Sequence, residues 1–129
     1  MNPPMHKRLR DAFEDAGLTK GSIIQMLKWT DTGNLADSFI MFSPSGGTAI
    51  DKTLSADYYV TVNVVSAKSA GAYERSEQVT QAILDYVQQN PDSNPCLGEI
   101  TNVGGFPQPI LTTDERMVWR IQLMCRYGE

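Results

Sequence analysis

The side chains able to act as nucleophiles, proton carriers or metal ligands are few, and their spacing suits none of those tasks. The single histidine, His6, stands among Lys7, Arg8 and Arg10 near the N-terminus. No serine or cysteine nucleophile lies close to it in sequence, so it reads as a solvated side chain. Paired carboxylates occur at Glu14-Asp15 and Asp114-Glu115. The first pair falls on the polar side of a predicted helix and the second in a predicted turn, where solvated side chains are expected. Cys96 and Cys125 make neither a CxxC pair nor a metal-ligand pattern. Cys125 lies on the apolar face of a predicted strand, where a free thiol behaves as a small hydrophobe. Cys96 is in a polar loop. Gly46-Gly47 stands upstream of Lys52-Thr53, but the order G-x-x-x-x-G-K-[ST] is absent. No strand-to-helix transition follows it, so a hairpin or exposed loop is expected there rather than a phosphate cradle. No dinucleotide fingerprint or nucleophile elbow is present. These residues predict no catalytic site, no cofactor and no metal.

The totals narrow the class further. A chain of 129 residues, 41% hydrophobic and 20% charged, can bury a core without staples, and residues 1–129 read as one domain. The net charge of −4 lacks the basic excess of a general nucleic-acid binder. The one basic cluster, Lys7-Arg8-Leu9-Arg10, is interrupted by Leu9 and followed by Asp11, Glu14 and Asp15, which suits a solvated helix face. No apolar run approaches the roughly 18 residues that span a bilayer. No apolar segment follows the basic N-terminus, so a signal peptide is not expected. The expectation is a cytosolic-type protein with no membrane partner.

The element that must carry the core runs from Asp57 to Gln89. Tyr58, Val60, Val62 and Val64 alternate with Tyr59, Thr61 and Asn63, the period of a half-buried strand. Ala72, Val79, Ile83, Tyr86 and Val87 then recur at helical spacing, with Gly71 as the N-cap and Glu74 at the positive end. Ahead of this pair, Asn2 can cap a helix whose stripe is Met5, Leu9, Phe13 and Ala16, with Pro3 and Pro4 in its opening turn and Gly17 as its stop. Residues 22–29 read as a short strand. Ser38–Phe42 reads as a strand ending at Pro44, after which Ser43–Gly47 turns the chain. Downstream, Asn90-Pro91 closes the helix, Glu99–Val103 forms a short strand, and Gln108–Leu111 is an extended piece that Pro107 and Pro109 confine to an edge or bulge. The last strand, Arg116 to Tyr127, turns Met117, Trp119, Ile121, Leu123, Cys125 and Tyr127 inward. It turns Arg116, Arg120, Gln122 and Arg126 outward, and its short connection implies antiparallel pairing with the segment before it. The sum is an α+β domain, a mixed or mainly antiparallel sheet with helices packed on one face.

Some of this surface is more apolar than a monomer requires. Tyr59 and Val65 fall on the second face of the central strand, Val118 and Met124 on the outward face of the last one. Trp29 and Phe106 sit in loop-like or edge positions, and the 43–55 and 91–109 loops are long. Oligomers cover such faces and edges with neighbouring subunits; helix one and the 22–29 segment offer cover from within the monomer.

Ala36-Asp-Ser-Phe-Ile-Met-Phe-Ser-Pro-Ser-Gly-Gly47 and Asp57-Tyr-Tyr-Val-Thr-Val-Asn-Val64 are similar to segments in prophage-encoded tail terminator proteins. The order of elements over nearly the whole chain resembles that lambda-like minor tail protein family of long-tailed bacteriophages. The resemblance implies a non-enzymatic virion protein, in the host cytoplasm during assembly and in the tail afterwards. It implies a hexameric ring of the protein with itself that caps the tail tube protein, ends polymerisation and presents a surface to the head completion protein. A ring needs heterologous contacts, one patch meeting a different patch on the neighbour. An acidic lumen would let DNA slide rather than stick. No motif carries the family's functional positions onto this chain, so the interface candidates are loop and outer-strand residues: Asp51, Lys52, Arg75, Phe106, Arg116, Arg120 and Arg126. The competing readings are a head-to-tail connector of similar fold, a ligand-binding or enzymatic α+β domain with a polar pocket, and a cytoplasmic protein sharing the topology alone.

Overall fold

The computed structural model describes residues 5–27, 37–47, 56–68, 71–89, 99–112 and 115–127. The chain runs α1 (Met5–Asp15), β1 (Ile23–Met26), β2 (Phe39–Gly47), β3 (Ala56–Val65), α2 (Ala72–Gln89), β4 (Glu99–Val103), β5 (Ile110–Leu111) and β6 (Met117–Tyr127). The strands form one mixed sheet in the order β1-β2-β3-β6-β4, with β5 also on β6. Only the β1–β2 pair is parallel; the others are antiparallel. This is the α+β architecture that the alternation and helical spacing predict.

Both helices lie on one face of the sheet. Leu9 and Phe13 of α1 join Ile83, Leu84 and Val87 of α2 over Ile40, Phe42, Val60, Val62, Val64, Ile121 and Leu123. Phe13 meets Phe42 edge-on at 5.7 Å and Tyr86 at 5.8 Å, so one ring ties each helix to the other and to the sheet. Burying each such side chain contributes roughly 1.5–3 kcal/mol. The register of β3 against β6 pairs Val60 with Leu123, Val62 with Ile121 and Val64 with Trp119. The two strongest alternating segments of the sequence therefore form the centre of the sheet.

Local chemistry sets the ends. Gly17 has φ +77°, the left-handed turn that closes α1. Leu18 N donates to Phe13 O and Gly17 N to Glu14 O, both at 3.0 Å, and Leu18 packs back on the core. Gly71, at φ +74°, precedes α2, and its carbonyl accepts from Arg75 N at 3.1 Å. The expected Asn2 cap, the Asn90-Pro91 stop, Trp29 and Cys96 lie outside the described residues.

Several expectations are corrected. Strand β2 does not end at Pro44 and Ser43–Gly47 is not a turn: pairing with β3 continues to Gly47↔Tyr58 across a bulge between Pro44 and Gly47. Among the described residues the pairing of β1 stops at Phe42, so no strand meets that side of β2 beyond it, where proline's missing N–H is tolerated. Ala16, whose N still donates to Ala12 O at the helix end, is exposed, and Ala12 packs in the core instead. His6 is buried rather than solvated, at 7% exposure. Arg116 does not face outward; it precedes β6 and is fully buried. On the face away from the helices Val65 is buried, while Tyr59, Val118 and Met124 are half-buried.

Candidate assembly surface

The polar interior is structural. Arg116 Nη1 donates to Asp37 O at 2.7 Å and to Ser66 O at 3.0 Å, and its guanidinium lies 5.3 Å from the centre of the Phe39 ring. One guanidinium nitrogen thereby ties the chain before β2 to the end of β3 and the start of β6. Ser66 Oγ accepts from Met117 N at 2.7 Å, and Ser66 N donates to Met117 O. On the helix side Trp119 Nε1 donates to Ser76 Oγ at 2.8 Å, which donates onward to Tyr73 O at 2.7 Å. That indole N–H is buried and has its acceptor.

Titration in the core follows burial. Desolvation, then Lys7 and Arg10, holds His6 below its ordinary value of 6.5. Among the described residues its Nε2 finds no hydrogen-bond partner. Burial pushes the Cys125 thiol up to about 12 against a smaller opposing effect of Arg8, so Cys125 stays a thiol and is no nucleophile. Glu14 and Asp15 are exposed. Among the described residues no group of three or more His, Cys, Asp or Glu could hold a metal ion.

Two clefts open on the helix side. One, of about 200 Å³, is lined by Lys20, Ser22, Ser38, Ser66, Arg75 and Ser76 among others. Its hydroxyls are committed to the protein: Ser38 Oγ donates to Gly21 O, and Ser66 and Ser76 hold the bonds above. The other, of about 450 Å³, runs between α2 and β4. Leu84, Val87 and Ile100 form its floor and Gln81, Asp85 and Gln88 its rim. In it the buried Oδ1 of Asn102 has no donor among the described residues.

Apart from Tyr73 on α2, the exposed large apolar side chains among the described residues lie toward the two ends of the sheet. Ile23 and Leu27, 37% and 62% exposed, flank the β1 end. Val103, Phe106, Ile110 and Leu111, all 43% exposed or more, line the β4–β5 end. Among the described residues no strand pairs with the outer side of β1 or of β4.

The predicted interface residues are not brought together. Asp51 and Lys52 lie outside the described residues. Arg75 is exposed in the first turn of α2 beside the smaller cleft. Phe106 is half-exposed and meets Trp119 edge-on at 5.7 Å. Arg120 is exposed opposite Asn63 on the helix-free face. Arg126 stands in register between Asp57 of β3 and Glu99 of β4. Arg116, buried, has no surface to offer a neighbour. Sequence reasoning missed Ile23, Leu27, Val103, Ile110 and Leu111. Its one signal for the β4–β5 end was apolar residues in short segments broken by Gly104, Gly105, Pro107 and Pro109, where a proline-interrupted strand belongs on an edge.

A mixed sheet with both helices on one face defines an α+β domain. The chain belongs to the family of phage tail termination proteins, whose model matches residues 2–129. It is a structural protein of the phage tail. Five solved chains match it. One aligns at TM-score 0.56 and 19% identity over 94% of this chain and 96% of that one, which speaks to the fold alone. None of the curated proteins compared with it matches. No described helix is long and apolar enough to cross a membrane.

Proposed function

We propose that this protein forms a hexameric ring that caps the finished tail tube, ends its polymerisation and presents the surface to which the head joins. The family match over nearly the whole chain carries this reading. The partners are further copies of the chain, the tail tube protein and the head completion protein. The acidic balance of the chain, −4 overall, suits a ring through which DNA passes without sticking.

The test joins mass to function. Light scattering over a concentration series, with and without cognate tail tubes, separates the 14.3 kDa protomer from a ring. Adding the protein to polymerising tube should then fix tube length, with density at one end by electron microscopy. A ring that binds heads and leaves tube growth untouched would instead make it a head-to-tail connector. A protein that neither multimerises nor binds tube or head would overturn the reading.

A further inference from the structure

We infer that the ring is closed by sheet continuation: the β1 edge of one copy pairs antiparallel with the β4 edge of the next, over the cleft between α2 and β4. This rests on the ring reading and names the surface that makes it.

Among the described residues the two ends of the sheet are unpaired, and they are unlike. Ile23 N donates to Ser38 O and Leu27 N to Phe42 O, so the odd residues of β1 face β2. By strand alternation the N–H and C=O of Ile24 and Met26 point to the open side. Such an edge is a template for another strand. Direction also fits. Strand β1 runs parallel to β2, and three antiparallel steps lead from β2 to β4, so β1 and β4 point opposite ways. A copy shifted sideways in the same orientation therefore presents its β1 antiparallel to β4. The lengths match, four residues against five.

Side-chain chemistry agrees on both faces. Ile24 and Met26 face the helix side, packed on the core. Beside β4 they would extend the floor made by Leu84, Val87 and Ile100. On the opposite face Ile23 would stand by Val103, each covering the other's exposed surface. The donorless Oδ1 of Asn102 lies in the same cleft, where a neighbour can supply a donor.

Charge decides which copy surface belongs there. From Ser76 to Glu115 the sequence has no basic residue and six acidic ones, Glu77, Asp85, Asp92, Glu99, Asp114 and Glu115. From Ala16 to Thr30, the stretch that contains β1, it has Lys20 and Lys28 and no acid. An isologous pairing of two β4 edges would bring two acidic stretches of sequence together, whereas β1 against β4 brings a stretch with lysines and no acid to an acidic one. The contact joins different patches and therefore propagates from copy to copy, and it closes as a ring when each copy is also rotated about the ring axis relative to the last.

The test is cysteine pairing in a Cys96→Ser background, with Cys125 left in place because it is buried. Ile23→Cys, Val103→Cys and the double variant are oxidised with and without cognate tail tubes. The reaction is repeated with a short bis-maleimide, so that a register slip of two residues, about 7 Å, still registers. The double variant should give a ladder of covalent multimers and each single variant only monomer. A dimer from Val103→Cys alone means isologous pairing and overturns the inference. A ring by light scattering with no ladder also overturns it and leaves the ring standing. Monomer by scattering in both conditions, with no ladder, overturns the ring as well.

Discussion

Arg116 shows how a residue's neighbours on the page differ from its neighbours in space. Its guanidinium joins two carbonyls and an aromatic face from segments 79 and 50 residues away. Arg116→Met would leave the Asp37 and Ser66 carbonyls without that donor, at about 1–3 kcal/mol for each buried group. A fall of about 3 kcal/mol in unfolding free energy is expected from urea titration. His6 makes the second prediction. Its pKa is lowered by burial, Lys7 and Arg10, so the unfolded chain binds its proton more readily than the folded one. Stability is therefore full above 6.5, its ordinary value, and falls as pH drops below that. His6→Gln should flatten this part of the profile in thermal melts between pH 7 and pH 5. An unchanged slope would place the dependence elsewhere.

Elements in this protein are set by their ends as much as by their stripes. Helix α1 stops where Gly17 enters the left-handed region and Leu18 folds back on the core. Gly17→Ala should cost about 1–2 kcal/mol, since an L side chain is strained there, read as a lower melting temperature with unchanged helical content. Existence and type of element were legible for α1, α2, β3, β4 and β6, because their periodicity is strong and they have capping or breaking residues. The fate of β2 after Pro44 was not. A proline is a breaker in a central strand and acceptable in an edge strand, and only the length of β1 decides which β2 is.

At the level of the assembly, the proposed ring uses the two sheet edges that no strand pairs with among the described residues. In the proposed sheet pairing, the acidic run from Ser76 to Glu115 and the lysines flanking β1 in sequence would supply the attraction between copies. Exposed charges are screened beyond about 8 Å at physiological salt. Raising salt from about 0.05 M to about 0.5 M shortens that length several-fold and should raise the concentration at which half the protein is assembled, measured by light scattering. Assembly that strengthens with salt would mean that apolar contact alone holds the copies. Lys28→Glu should weaken assembly at low salt, and adding Glu99→Lys should restore part of it.

The α+β class, the central β3 and β6 strands and the two helices were legible in the sequence, because they rest on periodicity and on the order of elements along the chain; the family was legible only through the resemblance of residues 36–47 and 57–64 to known members. The sequence marked Phe106 and the segment from Gln108 to Leu111 as edge-like. Tertiary structure decided what depends on the partner across the fold: that Arg116 and His6 are inside, that Ala12 and not Ala16 meets the core, and that the candidate residues scatter over several surfaces. It also placed Ile23 and Leu27 at one end of the sheet and Val103, Ile110 and Leu111 at the other. No local pattern distinguishes an apolar residue awaiting a core from one awaiting a neighbour, because both have the same spacing and differ only in what the finished sheet leaves open.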